Sequence, residues 1–394
     1  MGWTVRACWG LVPRAVNRVA SCGTDLRVHR TPRLDPPYHG SEDGLESSLA
    51  RRHEAVEPGG SAMILDDKLA AGGVIVLDGA TGTEIARLGG EMNAAAWCGA
   101  ANRTHPDTVR RVHESYLEAG ADVIITNTFA TCRHVLEGAG LGDETVAINR
   151  RAVELARAAR DRVAPDRPVA VAGSMSNTVA WLPGTVGPDP AYLPSPEREA
   201  ANYREMAETL AEAGCDLLVM EMLMDVERAT RVTEAALATG LPVWAGISTS
   251  RGPGGAMIGW DIEREEEGRL SDGYEPPPRE PLETIIDAIA SLGPQVTGIM
   301  HSSLGATTPG LDVLFARWSG PVMAYPEAMH ADSASPLART PVEPEDFASH
   351  CRRWVESGVQ IIGGCCGTTI RHIRSMVDRL PERPGPRPPI RGDA

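Results

Sequence analysis

The stretch VQIIGGCCGTT, residues 359–369, joins a short apolar run to two adjacent cysteines. The run is typical of a buried strand, and two glycines end it. Side chains alternate along a strand, so Cys365 and Cys366 can point to one place only where the backbone turns. The neighbouring glycines allow such a turn. Two thiols that face one point indicate a soft-metal site, with zinc as the expected metal, and the alternative is a pair of small buried packing residues.

Seven similar apolar runs precede this one, and helical stretches follow most of them. The eight runs cover residues 74–79, 122–129, 168–175, 216–223, 242–249, 296–302, 321–327 and 359–364. Eight apolar strands separated by helices predict an α/β fold, a single-domain (β/α)8 barrel of the TIM type with a parallel sheet inside and helices outside. An open, doubly wound sheet is the alternative.

Two of the intervening stretches carry clear helix signals. Residues 104–120 start with Thr104 as the predicted N-cap and stop at Gly120, and residues 195–214 run from a serine cap to a glycine. The long stretch 251–278, after the fifth strand, lacks such signals and is predicted to be a loop that is either functional or disordered.

The two ends of the chain lie outside this pattern. Residues 1–62 show no sustained periodicity and are predicted to form a disordered N-terminal extension. Residues 63–380 are predicted to form the barrel, and residues 381–394 form a Pro-rich tail with no core to join.

Composition limits the classes of partner. The net charge of −15 argues against nucleic acid, and the absence of an 18-residue apolar run argues against a membrane span. Eight cysteines spread over 394 residues do not resemble a small secreted disulfide framework, so we expect a cytoplasmic protein. Small-molecule substrates are the expected partners, and a homo-oligomer stays open.

Polar and ionisable residues gather where the predicted strands end, which is the side of a (β/α)8 barrel that carries the active site. These residues are Asp78, Asn127, Thr128, Glu221, His301, Tyr325, Cys365 and Cys366. A catalytic zinc ion takes three protein ligands and leaves one position open. His301 is therefore the candidate for the third ligand beside the two cysteines, and a hydrogen-bonded core histidine is the alternative.

Four motifs resemble the homocysteine S-methyltransferase family over roughly residues 70–377. They are LDGATGTE (77–84), HPDTVRRVHESYLEAGADVIITNTF (105–129), VMEM (219–222) and IIGGCCGTT (361–369). The resemblance implies a barrel on which three cysteines hold zinc, and the zinc binds the thiol of homocysteine. It also implies that the thiolate attacks a methyl group on a positively charged donor.

The resemblance also assigns site residues. Cys365 and Cys366 match the paired zinc ligands, Asp78 and Gly79 match the motif that meets the amino acid part of homocysteine, and Glu221 matches the carboxylate near its amino group. Trp97 matches an aromatic residue of the donor site in betaine-using members, or is an ordinary packing residue. Thr128 and Tyr325, at their strand ends, complete the predicted substrate contacts.

The chain departs from the family pattern at the acceptor site. GIMH (298–301) places His301 where the family has its remaining zinc cysteine, and YPE (325–327) replaces the usual YPNSG. Ala130 stands where betaine-using members have a tyrosine, which favours a sulfonium donor such as S-methylmethionine. We therefore predict a zinc-dependent S-methyltransferase that makes methionine from homocysteine. The alternatives are a related methyltransferase or demethylase with another substrate, and a non-catalytic member with a degraded metal site.

Overall fold

The computed structural model describes residues 60–183, 187–260, 279–331 and 339–387. Its strands are short and, in the barrel, buried along their whole length. In chain order they are β1 (Ile75–Val76), β2 (Val123–Ile125), β3 (Ala170–Ser176), β4 (Leu217–Leu223), β5 (Val243–Ile247), β6 (Thr249–Arg251), β7 (Met257–Gly259), β8 (Val296–Met300), β9 (Val322–Tyr325), β10 (Met329–Ala331), β11 (Arg339–Pro341) and β12 (Ile361–Ile362).

Eight of these strands form one parallel barrel, in the order β1-β2-β3-β4-β5-β8-β9-β12. The first strand pairs with the last through Ile75 and Ile361, and a parallel bridge between Leu77 and Val123 joins β1 to β2. The sheet therefore closes on itself. The predicted (β/α)8 barrel is confirmed, and the open-sheet alternative is wrong. Each of the eight apolar runs overlaps one of the barrel strands.

Helices surround the barrel and cover its outer face. They are α1 (Gly60–Ala70), α2 (Thr81–Arg87), α3 (Ala101–Thr104), α4 (Pro106–Glu118), α5 (Arg133–Gly138), α6 (Thr145–Val163), α7 (Pro196–Glu212), α8 (Val226–Leu237), α9 (Leu282–Leu292), α10 (Leu304–Phe315), α11 (Pro344–Glu356) and α12 (Ile370–Val377). No helix within the described ranges is long and apolar enough to cross a membrane.

The local helix signals were right in one case and partly wrong in the other. Ser195 caps α7 as predicted, because its side chain accepts a hydrogen bond from the Arg198 backbone N–H. Thr104 is not an N-cap. It ends the short helix α3, its hydroxyl donates to the Ala100 carbonyl, and α4 starts after His105. Gly120 does follow the end of α4, with a left-handed φ of 105° that suits glycine.

The predicted loop 251–278 is partly a hairpin, because β6 and β7 pair antiparallel at its start. Its remainder, residues 261–278, lies outside the described residues, as do residues 1–59 and 388–394. The predicted division into residues 1–62, 63–380 and 381–394 therefore stays a prediction. Helix α1 begins at Gly60, three residues before the predicted boundary, and buries Leu65 and Leu69 against the barrel.

Candidate active site

A narrow cavity of about 50 Å³ lies at the carboxyl-terminal ends of the barrel strands. Seven residues predicted from the sequence line it: Trp97, Asn127, Glu221, His301, Tyr325, Cys365 and Cys366. They come from six different positions around the barrel, so only the closed sheet brings them together. The convergence expected at this end of the barrel is therefore present.

The two cysteines lie in a turn just past β12. Gly367 has a φ of 79°, the left-handed region that glycine adopts without strain. Gly363 has no room for a side chain, because a Cβ there would lie 2.6 Å from the Cβ of Leu77. The Thr368 hydroxyl accepts a hydrogen bond from the Ala80 backbone N–H at 2.9 Å, which ties the turn to the loop after β1. The chain thus turns directly after the strand, and both thiols reach the cavity.

His301 lies between a carboxylate and a thiol. Its Nε2 is 2.8 Å from Glu221 Oε2, and its Nδ1 is 3.1 Å from Cys365 Sγ. All three side chains are buried. Burial raises the pKa of the Cys365 thiol, and the nearby carboxylates of Glu327 and Glu221 add to that effect. The raised pKa favours the neutral form of the Cys365 thiol.

Asp78 lies one hydrogen bond behind the cavity wall. Its carboxylate accepts from the Ile125 backbone N–H at 2.8 Å and from the Tyr325 hydroxyl at 3.1 Å. Complete burial raises the pKa of Asp78 well above its usual value, and the negative charge of Glu221 contributes. Gly79 accepts a second bond from Tyr325, and a Cβ there would lie 2.6 Å from the ring of Tyr116. The structure therefore places Asp78 and Gly79 around Tyr325 rather than on the cavity surface.

The other two predicted substrate contacts, Thr128 and Trp97, differ in whether they line the cavity. Thr128 is fully buried and donates to the Ser174 carbonyl at 2.7 Å, so its hydroxyl is used inside the protein and it does not line the cavity. Trp97 does line it. The Trp97 ring meets Phe129 edge-on with centroids 5.7 Å apart, and Phe129 stacks on His301 at 5.3 Å. Both aromatic rings therefore belong to the wall around His301.

Sequence reasoning missed several residues that line the cavity, among them Cys98, Phe129 and Ser174. Cys98 donates to the Asn127 side-chain oxygen at 2.9 Å, and burial raises the pKa of its thiol to about 12. The Ser174 hydroxyl is buried and has no hydrogen-bond partner among the described residues. A polar serine inside the otherwise apolar run 168–175 was the one signal that pointed to it.

The residues that could hold a metal ion are Cys365, Cys366 and His301. Two thiols and an imidazole nitrogen are suitable zinc donors, and Glu221 on the other ring nitrogen is the partner that metal-binding histidines usually have. The distance between Cys365 Sγ and His301 Nδ1 is shorter than in a zinc site, because a sulfur and a nitrogen bound to tetrahedral zinc lie about 3.5 Å apart. In the described part of the chain, accordingly, no group of three or more His, Cys, Asp or Glu side chains has the arrangement of a formed metal site. The donor types fit, and the contact of 3.1 Å would have to open slightly.

Comparison with known proteins gives a consistent result. A model of the family described as homocysteine S-methyltransferase matches residues 75–380. Homocysteine S-methyltransferase 2 of Arabidopsis thaliana is 26% identical over 340 residues, which are 79% of this chain and 94% of the relative. Homocysteine S-methyltransferase of Escherichia coli is 29% identical over 315 residues, 78% of this chain and 95% of the relative. Selenocysteine methyltransferase of Astragalus bisulcatus is 28% identical over 344 residues, 80% of this chain and 95% of the relative.

A solved structure has the same fold. The metallated form of the homocysteine methyltransferase MmuM from Escherichia coli aligns with a TM-score of 0.60 at 25% identity. The alignment covers 80% of this chain and 99% of that protein.

Proposed function

Since this chain belongs to the homocysteine S-methyltransferase family and is a methyltransferase, we propose that it transfers a methyl group from a sulfonium donor to homocysteine with the help of zinc. The products are methionine and the demethylated donor. With S-methylmethionine as the donor, both products are methionine. We take the cytoplasm as its compartment, because the thiols that it needs stay reduced there.

The single observation that carries this proposal is the cavity at the barrel mouth. It holds two thiols, an imidazole and a carboxylate, supplied by β4, β8 and the turn after β12. Two thiols and an imidazole are a zinc donor set that leaves one position for a substrate sulfur. The related Escherichia coli enzyme has a structure in a metallated form, which supports a metal site in this cavity.

The walls of the cavity favour a cationic donor. Of the residues that line it in the described structure, none is lysine or arginine, whereas the aromatic rings of Trp97, Phe129 and Tyr325 all contribute. Aromatic faces attract a positively charged methyl donor through cation–π contacts. Ala130 supplies no further ring, so the wall suits a small sulfonium better than a bulky quaternary ammonium.

The reaction is a direct methyl transfer. The homocysteine sulfur forms a bond to the methyl carbon as the bond between that carbon and the sulfonium sulfur breaks, and the donor leaves as a neutral thioether. The thiol proton of homocysteine passes to solvent. What a zinc ion held by Cys365, Cys366 and His301 would supply is stabilisation of the homocysteine sulfur as a thiolate at neutral pH. Trp97 and Phe129 exclude water and hold the methyl donor against that sulfur.

A second acceptor is favoured by one comparison and one substitution. The Astragalus relative is named selenocysteine methyltransferase, and His301 replaces the expected cysteine at the position that would face the acceptor atom. A site with one thiolate fewer carries less negative charge. Such a site holds a bound thiolate more tightly and lowers its nucleophilicity, and a selenolate is a stronger nucleophile than a thiolate. Selenocysteine is therefore the second candidate acceptor.

The test is a paired assay on the purified full chain. We expect about one zinc per chain, and we expect methionine from homocysteine with S-methylmethionine, at a rate at least ten times that with betaine. Faster turnover with betaine would contradict the sulfonium proposal. Selenocysteine in place of homocysteine tests the second acceptor.

Two variants of His301 provide the matched controls. His301→Ala removes a ligand and should release the zinc, whereas His301→Cys restores a thiolate and should keep it. Full zinc occupancy in His301→Ala would show that another group holds the metal. No zinc and no turnover with either donor, even after zinc is added, would refute the enzyme as proposed.

A further inference from the structure

His301 is bonded on both sides of its ring, and each bond identifies one nitrogen. Nε2 lies 2.8 Å from Glu221 Oε2, and Nδ1 lies 3.1 Å from Cys365 Sγ. A carboxylate can only accept a hydrogen bond, so Nε2 carries the proton and donates it. Nδ1 then keeps its lone pair and accepts from the Cys365 thiol. Glu221 thus selects the tautomer whose free nitrogen faces Cys365.

The backbone holds both partners in place. Glu221 lies on β4 just before Met222, where the pairing of β4 with β5 is interrupted between Met220 and Leu223. Met222 has a left-handed φ of 57°. Such a bulge redirects the neighbouring side chains. Glu221 therefore points along the cavity toward β8 instead of continuing the regular strand.

His301 is restrained in the same way. Its own φ is 46°, in the left-handed region that only a few per cent of non-glycine residues adopt. Its ring stacks on Phe129 with an interplanar angle of 28°. Stacking restrains the plane of the ring, but the ring could still rotate within that plane. The hydrogen bond to Glu221 fixes it. Strained backbone at a buried polar residue is typical of functional sites.

We propose that Glu221 is a positioning residue that fixes the tautomer and orientation of His301, so that Nδ1 is presented to the point that Cys365 and Cys366 share. The resemblance to the family assigns Glu221 to the amino group of the substrate. In that family, a cysteine occupies the position of His301. The exchange of that cysteine for histidine gives Glu221 a partner inside the protein. The part of this inference that concerns the metal rests on the proposed function, and the part that concerns the tautomer does not.

The first experiment measures the affinity for zinc alone, by competition with a chromophoric chelator. Glu221→Met removes the acceptor at similar length, and Glu221→Gln keeps an uncharged acceptor. We expect Glu221→Met to weaken zinc binding about 10- to 100-fold, with Glu221→Gln between it and the wild type. In the His301→Cys background, where no imidazole needs orienting, both changes should alter the affinity less than about twofold. An equal loss in both backgrounds, or no loss in either, would overturn the inference.

The second experiment needs no metal. Long-range ¹⁵N–¹H spectra of the metal-free full chain report the tautomer of each histidine, and the signal that His301→Cys lacks belongs to His301. We expect the Nε2-protonated form in the wild type and a mixture in Glu221→Met. A Nδ1-protonated His301, or a spectrum that Glu221→Met leaves unchanged, would refute the assignment. If the tautomer behaves as expected and zinc does not bind, the proposed function fails while this inference stands.

Discussion

At the amino-terminal end of the barrel, one half-buried and one buried aspartate have cationic partners. Asp122, just before β2, accepts from Lys68 Nζ at 2.8 Å and from the Val76 backbone N–H at 2.9 Å. Asp216, just before β4, accepts from the Val171 backbone N–H, and Arg160 lies 3.5 Å away. Each carboxylate thus joins a neighbouring strand to a basic side chain.

At the carboxyl-terminal end, Asp78 and Glu221 are buried without such partners. Asp78 is bonded to a backbone N–H and to the Tyr325 hydroxyl, and Glu221 is bonded to His301. Within the described ranges, neither forms an ion pair with lysine or arginine. Burial raises the pKa of Asp216 as well, and it raises the pKa of Asp78 well above its usual value.

The difference shows what each end does. Charges that the protein neutralises itself stabilise the fold, which agrees with the structural role of the amino-terminal face in barrels of this type. The carboxyl groups of Asp78 and Glu221, which have no basic partner, can instead be compensated by a bound cation, such as an amino group, a sulfonium or a metal ion. Two aspartates at opposite ends should therefore respond to the same substitution in opposite ways.

The largest effect is expected for Asp78→Asn. The change removes the carboxyl group that is hydrogen-bonded to Tyr325, and that the positive amino group of the predicted substrate would favour in its charged form. We expect kcat/KM to fall on the order of 10- to 100-fold, the value of one charged hydrogen bond. The free energy of unfolding should change little, because burial already disfavours the charged form of Asp78. Steady-state kinetics and chemical denaturation measure the two quantities.

Asp122→Asn is the matched change at the other end. It weakens the bonds to Lys68 and Val76 and should lower the free energy of unfolding by about 1 to 2 kcal/mol. Its kcat/KM should equal that of the wild type within a factor of two. If Asp122→Asn reduced kcat/KM as much as Asp78→Asn does, the two ends would not differ in function.

A smaller, pH-dependent effect is expected in the outer layer. His113 on α4 is fully buried, and neither ring nitrogen has a hydrogen-bond partner among the described residues. Burial lowers its pKa from 6.5 to about 4. Between these values the unfolded chain binds a proton that the folded chain does not, so stability is complete above about pH 6.5 and falls as the pH drops toward 4.

His113→Leu should remove this sensitivity. Between pH 7 and pH 5 the wild type should lose roughly 2 kcal/mol more than the variant, measured by urea denaturation at each pH. His134, whose pKa is also lowered to about 4, is present in both proteins and cancels in the comparison. Parallel curves would show that His113 finds a partner in solution.

The barrel could be predicted because each strand is buried on both faces and so has a continuous apolar run. The turn that presents Cys365 and Cys366 could be predicted for a local reason, since adjacent residues need a turn to face one point. The cap at Thr104 was predicted wrongly because the short helix α3 ends there, and a Thr-x-Pro pattern does not reveal the residues before it.

The contacts inside the site could not be predicted from local patterns. Glu221 and His301 are 80 positions apart, and their bond depends on a bulge in β4 that the apolar run DLLVM does not show. Cys98 and Ser174 reach the cavity from a loop and a strand interior that carry no recognisable motif. Their roles follow from the order of strands in space, which only the folded chain defines.

The seam of the barrel has a consequence for how the protein is made. The strand that starts the barrel pairs with the strand that ends it, and the bond from Ala80 to Thr368 spans 288 positions. Contacts so distant in sequence form slowly, and the last strand leaves the ribosome after all the others. We therefore expect the newly synthesised chain to stay open at this seam until the strand that ends the barrel has left the ribosome.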